Sequence, residues 1–280
     1  MKLKPLLNNA SSKLQKLVGD RSLFEARLLL AKVLSVELVD LIREDQIEIA
    51  ESDEKIFSEL VERRLKKEPM AYLLGEKEFF GMRFKVSHSV LIPRPETEDL
   101  VHESLDWIKS KRVDSNSARI LDLGTGSGCI AISLSKNLPE YFEIEALDRS
   151  SEALEVARIN AKKLGGANVK FIHEDFNQFE PSQKYSLIVS NPPYISTEEF
   201  EDLDEGIRAF EPRLALESGK CGLDDLLLIV ARYPQYLLRP GLLALETGSF
   251  GQREAIKSRL ESQSTVRIWD LNCHLFMEFG

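Results

Sequence analysis

Apolar residues recur at helical spacing through the first 74 positions. Leu23, Phe24, Ala26, Leu28, Leu29, Leu30, Val33 and Leu34 make a stretch that is apolar on more than one face, and Ile56, Leu60, Val61 and Leu65 repeat the period with charges between them. Ser22 and Ser52 are placed to cap these helices, with Glu25 completing a capping box after Ser22. Pro69 and Gly75 end the helical region. Residues 76–92 change character. Phe79, Phe80, Phe84, Val86, Val90, Leu91 and Ile92 are β-prone and Gly81 supplies a turn, which predicts a hairpin. A helix from about Glu96 to Lys111 follows, its entry pinned by Pro93 and Pro95.

From residue 118 strand-like and helix-like runs alternate. The pattern predicts strands at 118–123, 143–148, 169–173, 185–190, 241–247, 265–271 and 274–279, and helices at 128–137, 151–164, 223–238 and 250–261. Such alternation means a mostly parallel α/β sheet with helices on both faces. Only Asn272 and Cys273 separate the last two strands, a link short enough to permit an antiparallel pair alone. The chain therefore divides into a helical part at 1–75, a β-hairpin linker at 76–92 and an α/β domain at 93–280.

Charge narrows the function. Basic and acidic residues balance over positions 1–75, so the net charge of −9 falls on the remainder, and neither part is a basic surface for phosphate backbones. Cys129, Cys221 and Cys273 are far apart and the four histidines lack metal-ligand spacing, so reduced cytoplasmic thiols and no metal are expected. No apolar stretch is long enough for a membrane span, and the first residues lack the apolar core of a secretion signal. The helical part is either a small bundle packed on the larger domain or a partner-docking module, and docking is the expectation.

The chemistry lies at strand ends. Ile120-Leu-Asp-Leu-Gly-Thr-Gly-Ser-Gly128 runs from a strand through a glycine-rich turn into a helix, letting backbone approach a ligand closely. Cys129 stands where a dinucleotide fingerprint needs its third glycine, so that fingerprint fails. The loop instead resembles motif I of S-adenosylmethionine-dependent methyltransferases, with Gly124, Thr125, Gly126, Ser127 and Gly128 as cofactor-binding residues. Asp148 ends the next strand and is placed to accept from ribose hydroxyls. Asp175 and Phe176 follow the third strand, where such folds hold and pack an adenine, and Asp122 is placed to approach a ligand ammonium. Asn191-Pro-Pro-Tyr194 follows the strand 185–190. Two prolines force a turn there that presents an amide, fixed carbonyls and a ring. Asn191 and the Pro192 carbonyl could accept both hydrogens of a planar NH2 group while Tyr194 stacks on its face. Asn191, Pro192 and Tyr194 are thus the catalytic candidates.

Glu78-Phe-Phe-Gly81, Val90-Leu-Ile-Pro-Arg-Pro-Glu-Thr-Glu98, Asp122–Gly128, Ser190-Asn-Pro-Pro-Tyr-Ile195 and Phe210-Glu-Pro212 occur in this order. Together they resemble the HemK-type protein-(glutamine-N5) methyltransferases, the PrmC family. The resemblance implies a Rossmann-like fold with a small N-terminal helical domain. It also implies S-adenosylmethionine as cofactor, giving S-adenosylhomocysteine as product. Its substrate would be the glutamine of the Gly-Gly-Gln motif in a class 1 peptide chain release factor, held by Asn191, Pro192, Pro193 and Tyr194. A monomeric cytoplasmic enzyme without direct nucleic-acid or membrane contact is expected. The chain departs from the family pattern in carrying Phe176 where Trp is usual, and in the run Gly219–Asp225. The flipped adenine of an N6-adenine DNA methyltransferase also offers a planar NH2 and is the alternative. A catalytically silent scaffold is a third reading, against which the intact loop and Asn-Pro-Pro-Tyr speak.

Overall fold

The computed structural model describes residues 2–43, 48–114, 118–260 and 266–280. The chain forms two compact units. The first comprises Met1–Glu76 together with Asp204–Phe210, and the second Lys77–Leu203 with Glu211–Gly280.

The first unit is helical, as the periodicity predicts. It contains α1 (Leu3–Val18), α2 (Ser22–Leu34), α3 (Leu38–Arg43), α4 (Glu51–Leu65) and α5 (Met70–Leu74). Leu3, Leu7 and Leu14 of α1, Leu29 and Leu30 of α2, and Phe57 and Val61 of α4 meet in its own apolar core. Arg64 donates to Glu25 at 2.8 Å, both side chains nearly buried. The two expected serine caps are not formed. A 3₁₀ turn at Gly19–Arg21 delivers the chain to α2 already helical, so Ser22 lies inside the first turn and its hydroxyl donates to Gln15 instead. Glu25 then serves Arg64, and there is no capping box. Ala50 takes the cap position of α4, one residue before its first helical residue, so Ser52 falls within the helix. A later segment, the short helix at Glu205–Phe210, also belongs to this unit: Lys67 pairs with Glu205 at 2.7 Å, and the backbone of Gly206 lies against the Lys67 carbonyl.

From Glu76, the last residue of the first unit's main segment, onward, β1 (Glu76–Phe79) and β2 (Met82–Lys85) form the expected hairpin. Its two central residues, Phe80 and Gly81, have φ of 51° and 71°, the signs of a tight hairpin turn that matches strand twist. The left-handed conformation of Phe80 is held by a Glu98 bond to its amide and by packing of its ring on His102. Phe79 and Phe84 are fully buried in the core of the second unit.

The main sheet has seven strands: β3 (Arg119–Leu123), β4 (Glu143–Asp148), β5 (Val169–His173), β6 (Tyr185–Ser190), β7 (Leu237–Glu246), β8 (Val266–Leu271) and β9 (His274–Phe279). Their order is β5-β4-β3-β6-β7-β9-β8, and β9 alone runs opposite to the other six. Successive residues alternate between two cores. Leu187 and Val189 of β6 face one and Ile188 the other, and Leu242 and Leu243 of β7 divide likewise. Helices α6 (Thr97–Lys111) and α7 (Cys129–Asn137) bury their apolar sides in the first core, with α8 (Ser151–Leu164) packed against it. Helices α11 (Asp224–Arg232) and α12 (Phe250–Leu260) cover the second, and the short α9 (Thr197–Asp202) and α10 (Glu205–Phe210) lie between β6 and α11 in the chain. The helix expected over 223–238 stops at Arg232. Pro234 cannot donate into a continuing helix, so the chain tightens into a 3₁₀ turn at Tyr233–Tyr236. β7 then begins at Leu237, earlier than expected, and its register against β6 shifts between Tyr185 and Leu187, on the partner of the strand that carries Pro240 and Gly241.

Candidate active site

Strand order reverses between β3 and β6, where open α/β sheets leave a crevice at their carboxyl ends. A cavity of about 290 Å³ fills this crevice, near the lower bound of ligand pockets. Its wall includes Gly124, Thr125, Gly126 and Ser127 after β3, Asp148 at the end of β4, Phe176 after β5, and Asn191 and Pro193 after β6. Candidate residues from four separate strand ends thus share one cavity.

Each is held by local chemistry. The Leu147 carbonyl of β4 accepts from both the Gly124 and Thr125 amides, which bends the loop under the cavity. Asp148 accepts from the Gly126 and Ser150 amides, one on each oxygen at 2.9 Å. Those bonds fix the carboxylate and still leave lone pairs for a ligand. Burial raises the Asp148 pKa, with the two amides opposing it. Gly126 has open space beside its α-carbon. Gly128 plays another part. A methyl group there would lie 2.9 Å from Ile132 and 3.2 Å from Ala157, so this glycine lets α7 and α8 pack, and it is not on the cavity wall. The buried side chain of Asn160 ties the loop to the hairpin by donating to the carbonyls of Ser127 and Lys85.

Asp175, Asp122, Pro192 and Tyr194 do not line the cavity. Asp175 stays off the cavity wall, because its Oδ1 accepts from the Asn177 amide and side chain and so closes the turn that carries Phe176. Asp122 is wholly buried beneath the loop and accepts from the Thr125 hydroxyl at 2.7 Å. Burial pushes its carboxyl up to about 7 against that bond. Pro192 is buried and Tyr194 half-buried, and neither lines the cavity. The Tyr194 hydroxyl donates to Glu246 at 3.2 Å, its carbonyl accepts from Gln252, and its ring lies so close to Gly248 that a side chain there would collide with it. Burial, then Glu246, raise the Tyr194 pKa, so the phenol keeps its proton.

Several polar residues around the loop were not foreseen. Asn191 donates to Thr97 at 3.2 Å, Thr97 donates to Glu246 at 2.7 Å, and His274 lies 3.3 Å from the same Glu246 oxygen. Arg94, on the cavity wall, pairs with Glu211, which also accepts from the Ile92 amide. One signal was present: Glu246 is a single carboxylate closing the apolar run Leu242–Leu245 at a strand's carboxyl end.

This geometry can be set beside known proteins. Residues 5–75 match the PrmC N-terminal domain and residues 107–207 the Methyltransferase small domain. A release factor glutamine methyltransferase from Coxiella burnetii is 38% identical over 96% of this chain and 94% of its own length. The chain belongs to the release factor glutamine methyltransferase family. Members from Thermodesulfovibrio yellowstonii, 40% identical over 84% of this chain and 82% of that protein, and from Bordetella pertussis, 41% identical over 88% and 90%, carry the same name. Among solved structures, the catalytic domain of human METTL16 bound to an RNA hairpin aligns with a TM-score of 0.53 at 16% identity, over 72% of this chain and 76% of that one. The N-terminal domain of human METTL16 in complex with S-adenosylhomocysteine aligns at 0.50 and 19% identity over the same shares. At that identity the likeness is one of fold. The family's mostly parallel sheet of seven strands with one antiparallel strand, and its N-terminal helical part, are both present in this chain.

Proposed function

We propose that this methyltransferase transfers a methyl group from S-adenosylmethionine to the side-chain amide nitrogen of the glutamine in the Gly-Gly-Gln motif of a class 1 peptide chain release factor. One observation carries the proposal: the glycine loop and Asn191 share one cavity. The cavity residues suit the cofactor. Open backbone at Gly126 admits a ligand edge, Asp148 retains acceptor capacity for ribose hydroxyls, and Phe176 offers an apolar wall for a base. Bound there, S-adenosylmethionine would supply an electrophilic methyl group.

The protein's part is to hold a poor nucleophile in line. An amide lone pair is delocalised into its carbonyl, so orientation has to lower the barrier, and proximity can contribute several kcal/mol. Asn191 Oδ1 and the Pro192 carbonyl would each accept one N–H bond of the glutamine amide. Two accepted bonds fix the plane of the group and stabilise positive charge developing on nitrogen. Pro193 lines the wall, and Tyr194, held just outside it by the bond to Glu246, would have to turn its ring toward the amide to stack on it. The first helical unit would dock the protein substrate, and we take the enzyme to act as a cytoplasmic monomer.

The relatives' common name favours a protein glutamine over the exocyclic amine of a DNA adenine. Incubation with S-adenosylmethionine and a release factor, followed by mass spectrometry of the Gly-Gly-Gln peptide, tests the proposal. One methyl group on the glutamine is expected. An unmodified peptide beside methylated DNA would replace it with the adenine reading.

A further inference from the structure

Asn191 and Tyr194 of one turn, with Thr97, Glu246 and His274, come from four separate stretches of the chain and meet around one buried carboxylate. Glu246 and Thr97 are each 1% exposed, and His274 is fully buried. As a carboxylate, Glu246 has acceptors only. Its Oε2 lies 2.7 Å from Thr97 Oγ1 and 3.3 Å from His274 Nε2, and its Oε1 lies 3.2 Å from the Tyr194 hydroxyl. The Thr97 hydroxyl has one proton, and Glu246 takes it. Thr97 therefore faces Asn191 with lone pairs alone. The Asn191 atom 3.2 Å from Thr97 must then be the NH2 group, not the carbonyl. That choice leaves Oδ1 as the free end of the amide.

We infer that Thr97 and Glu246 are positioning residues that fix which way the Asn191 amide faces, so that its oxygen is the end offered to the substrate NH2. The inference rests on the proposed role of Asn191. Asn and its flipped form differ little in shape, so packing alone would select weakly between them, whereas the hydrogen-bond polarity selects strongly. A flipped Asn191 would set its carbonyl oxygen against the Thr97 lone pairs, acceptor against acceptor. The same carboxylate anchors Tyr194, so both polar ends of Asn-Pro-Pro-Tyr are registered to the carboxyl end of β7. His274 supports the arrangement: its Nδ1 faces the Leu271 carbonyl at 3.2 Å and its Nε2 faces Glu246, so the doubly protonated ring satisfies both.

The test compares Asn191→Ala, Thr97→Val, Thr97→Ser and Glu246→Gln, with release factor as substrate. Thr97→Val keeps the shape and deletes the hydroxyl, while Thr97→Ser keeps the hydroxyl. Glu246→Gln introduces an NH2 group that can donate to Thr97 and so reverse its polarity. Thr97→Val and Glu246→Gln are expected to lower kcat on the order of tenfold to a hundredfold, the usual cost of one mis-set hydrogen bond in a site. The KM for release factor and the S-adenosylhomocysteine affinity, measured by calorimetry, should stay within about threefold, since Thr97→Val keeps the shape of the cavity wall that Thr97 borders and Glu246 lies off that wall. Thr97→Ser should return kcat to within about threefold of the parent, a rescue that general loosening would not give. An inactive Asn191→Ala beside a fully active Thr97→Val, or a Thr97→Ser as slow as Thr97→Val, overturns the inference and leaves the role of Asn191 standing. A fully active Asn191→Ala overturns both.

Discussion

Asp122 shows how a residue can be legible by type and misread by place. It precedes the glycine loop and looks available to a ligand, yet it is wholly buried and its bond goes to Thr125. The consequence is a pH dependence of sign opposite to that of most carboxylates. Its pKa rises from the ordinary 3.8 to about 7, chiefly by burial. The folded state thus holds this proton more tightly than the unfolded one. Stability from this group is fully present below pH 4 and is lost as pH rises towards 7. Asp122→Asn, which cannot ionise, should remove that loss. Between pH 4 and pH 8 the difference in unfolding free energy between parent and variant should shift by a few kcal/mol in the variant's favour. Denaturant melts of the ligand-free protein at both pH values measure it, and a constant difference would refute it. Where residues lie within one strand-to-helix turn, as with Gly124–Ser127 and Asn191, the sequence pattern led to the cavity. Thr97, Glu246, Gln252 and His274 were not legible as site residues, because sheet pairing (for Glu246 and His274) and helix packing (for Thr97 and Gln252) bring together positions far apart in the chain. Asp175 is held by a local bond to Asn177 and Tyr194 by a long-range bond to Glu246, and neither bond shows in the sequence pattern.

At the scale of elements, the alternation of apolar runs was enough to place all seven strands, since each is buried on two faces or ends at a turn. What it missed was set by single residues acting on backbone geometry, as when Pro234 ended a helix that apolar spacing alone would have carried to 238. The short helices α9 and α10 lacked the length to show a period. The loop between β3 and α7 offers a prediction at this scale, because its glycines do different things. Gly126 and Gly128 both have positive φ, which costs an alanine about 1–2 kcal/mol. Gly126→Ala meets open space and adds bulk to the cavity wall. It should weaken S-adenosylhomocysteine binding by roughly tenfold or more with a modest fall in Tm. Gly128→Ala drives a methyl group between Ile132 and Ala157, adding about 1–3 kcal/mol of overpacking. It should lower Tm more than Gly126→Ala and leave affinity closer to that of the parent. Calorimetry and thermal melts on the two variants decide the matter, and equal effects on both readouts would refute the division of roles.

The whole molecule carries three apolar cores, one in the first unit and one on each face of the sheet, and the proposed division of labour assigns docking to the first unit and chemistry to the second. All the residues that wall the cavity belong to the second unit. The first unit contains a nearly buried pair, Arg64 and Glu25, whose integrity can be altered without touching the cavity. Arg64→Met leaves Glu25 buried without its partner, which costs about 3–5 kcal/mol, whereas replacing both members by apolar residues is usually neutral or stabilising. Arg64→Met should therefore loosen the first unit, and the double variant with Glu25→Leu should restore most of its stability. S-adenosylhomocysteine affinity should be the same in parent, single and double variants, because the cavity's supports lie elsewhere. Methylation of intact release factor should fall in the single variant through a raised KM and recover in the double. A short Gly-Gly-Gln peptide, which has no body to dock, should be methylated at the same slow rate by all three. Parallel loss on peptide and protein would mean that the helical unit supports the catalytic fold itself, and equal rates on both would mean that it carries no part of substrate recognition.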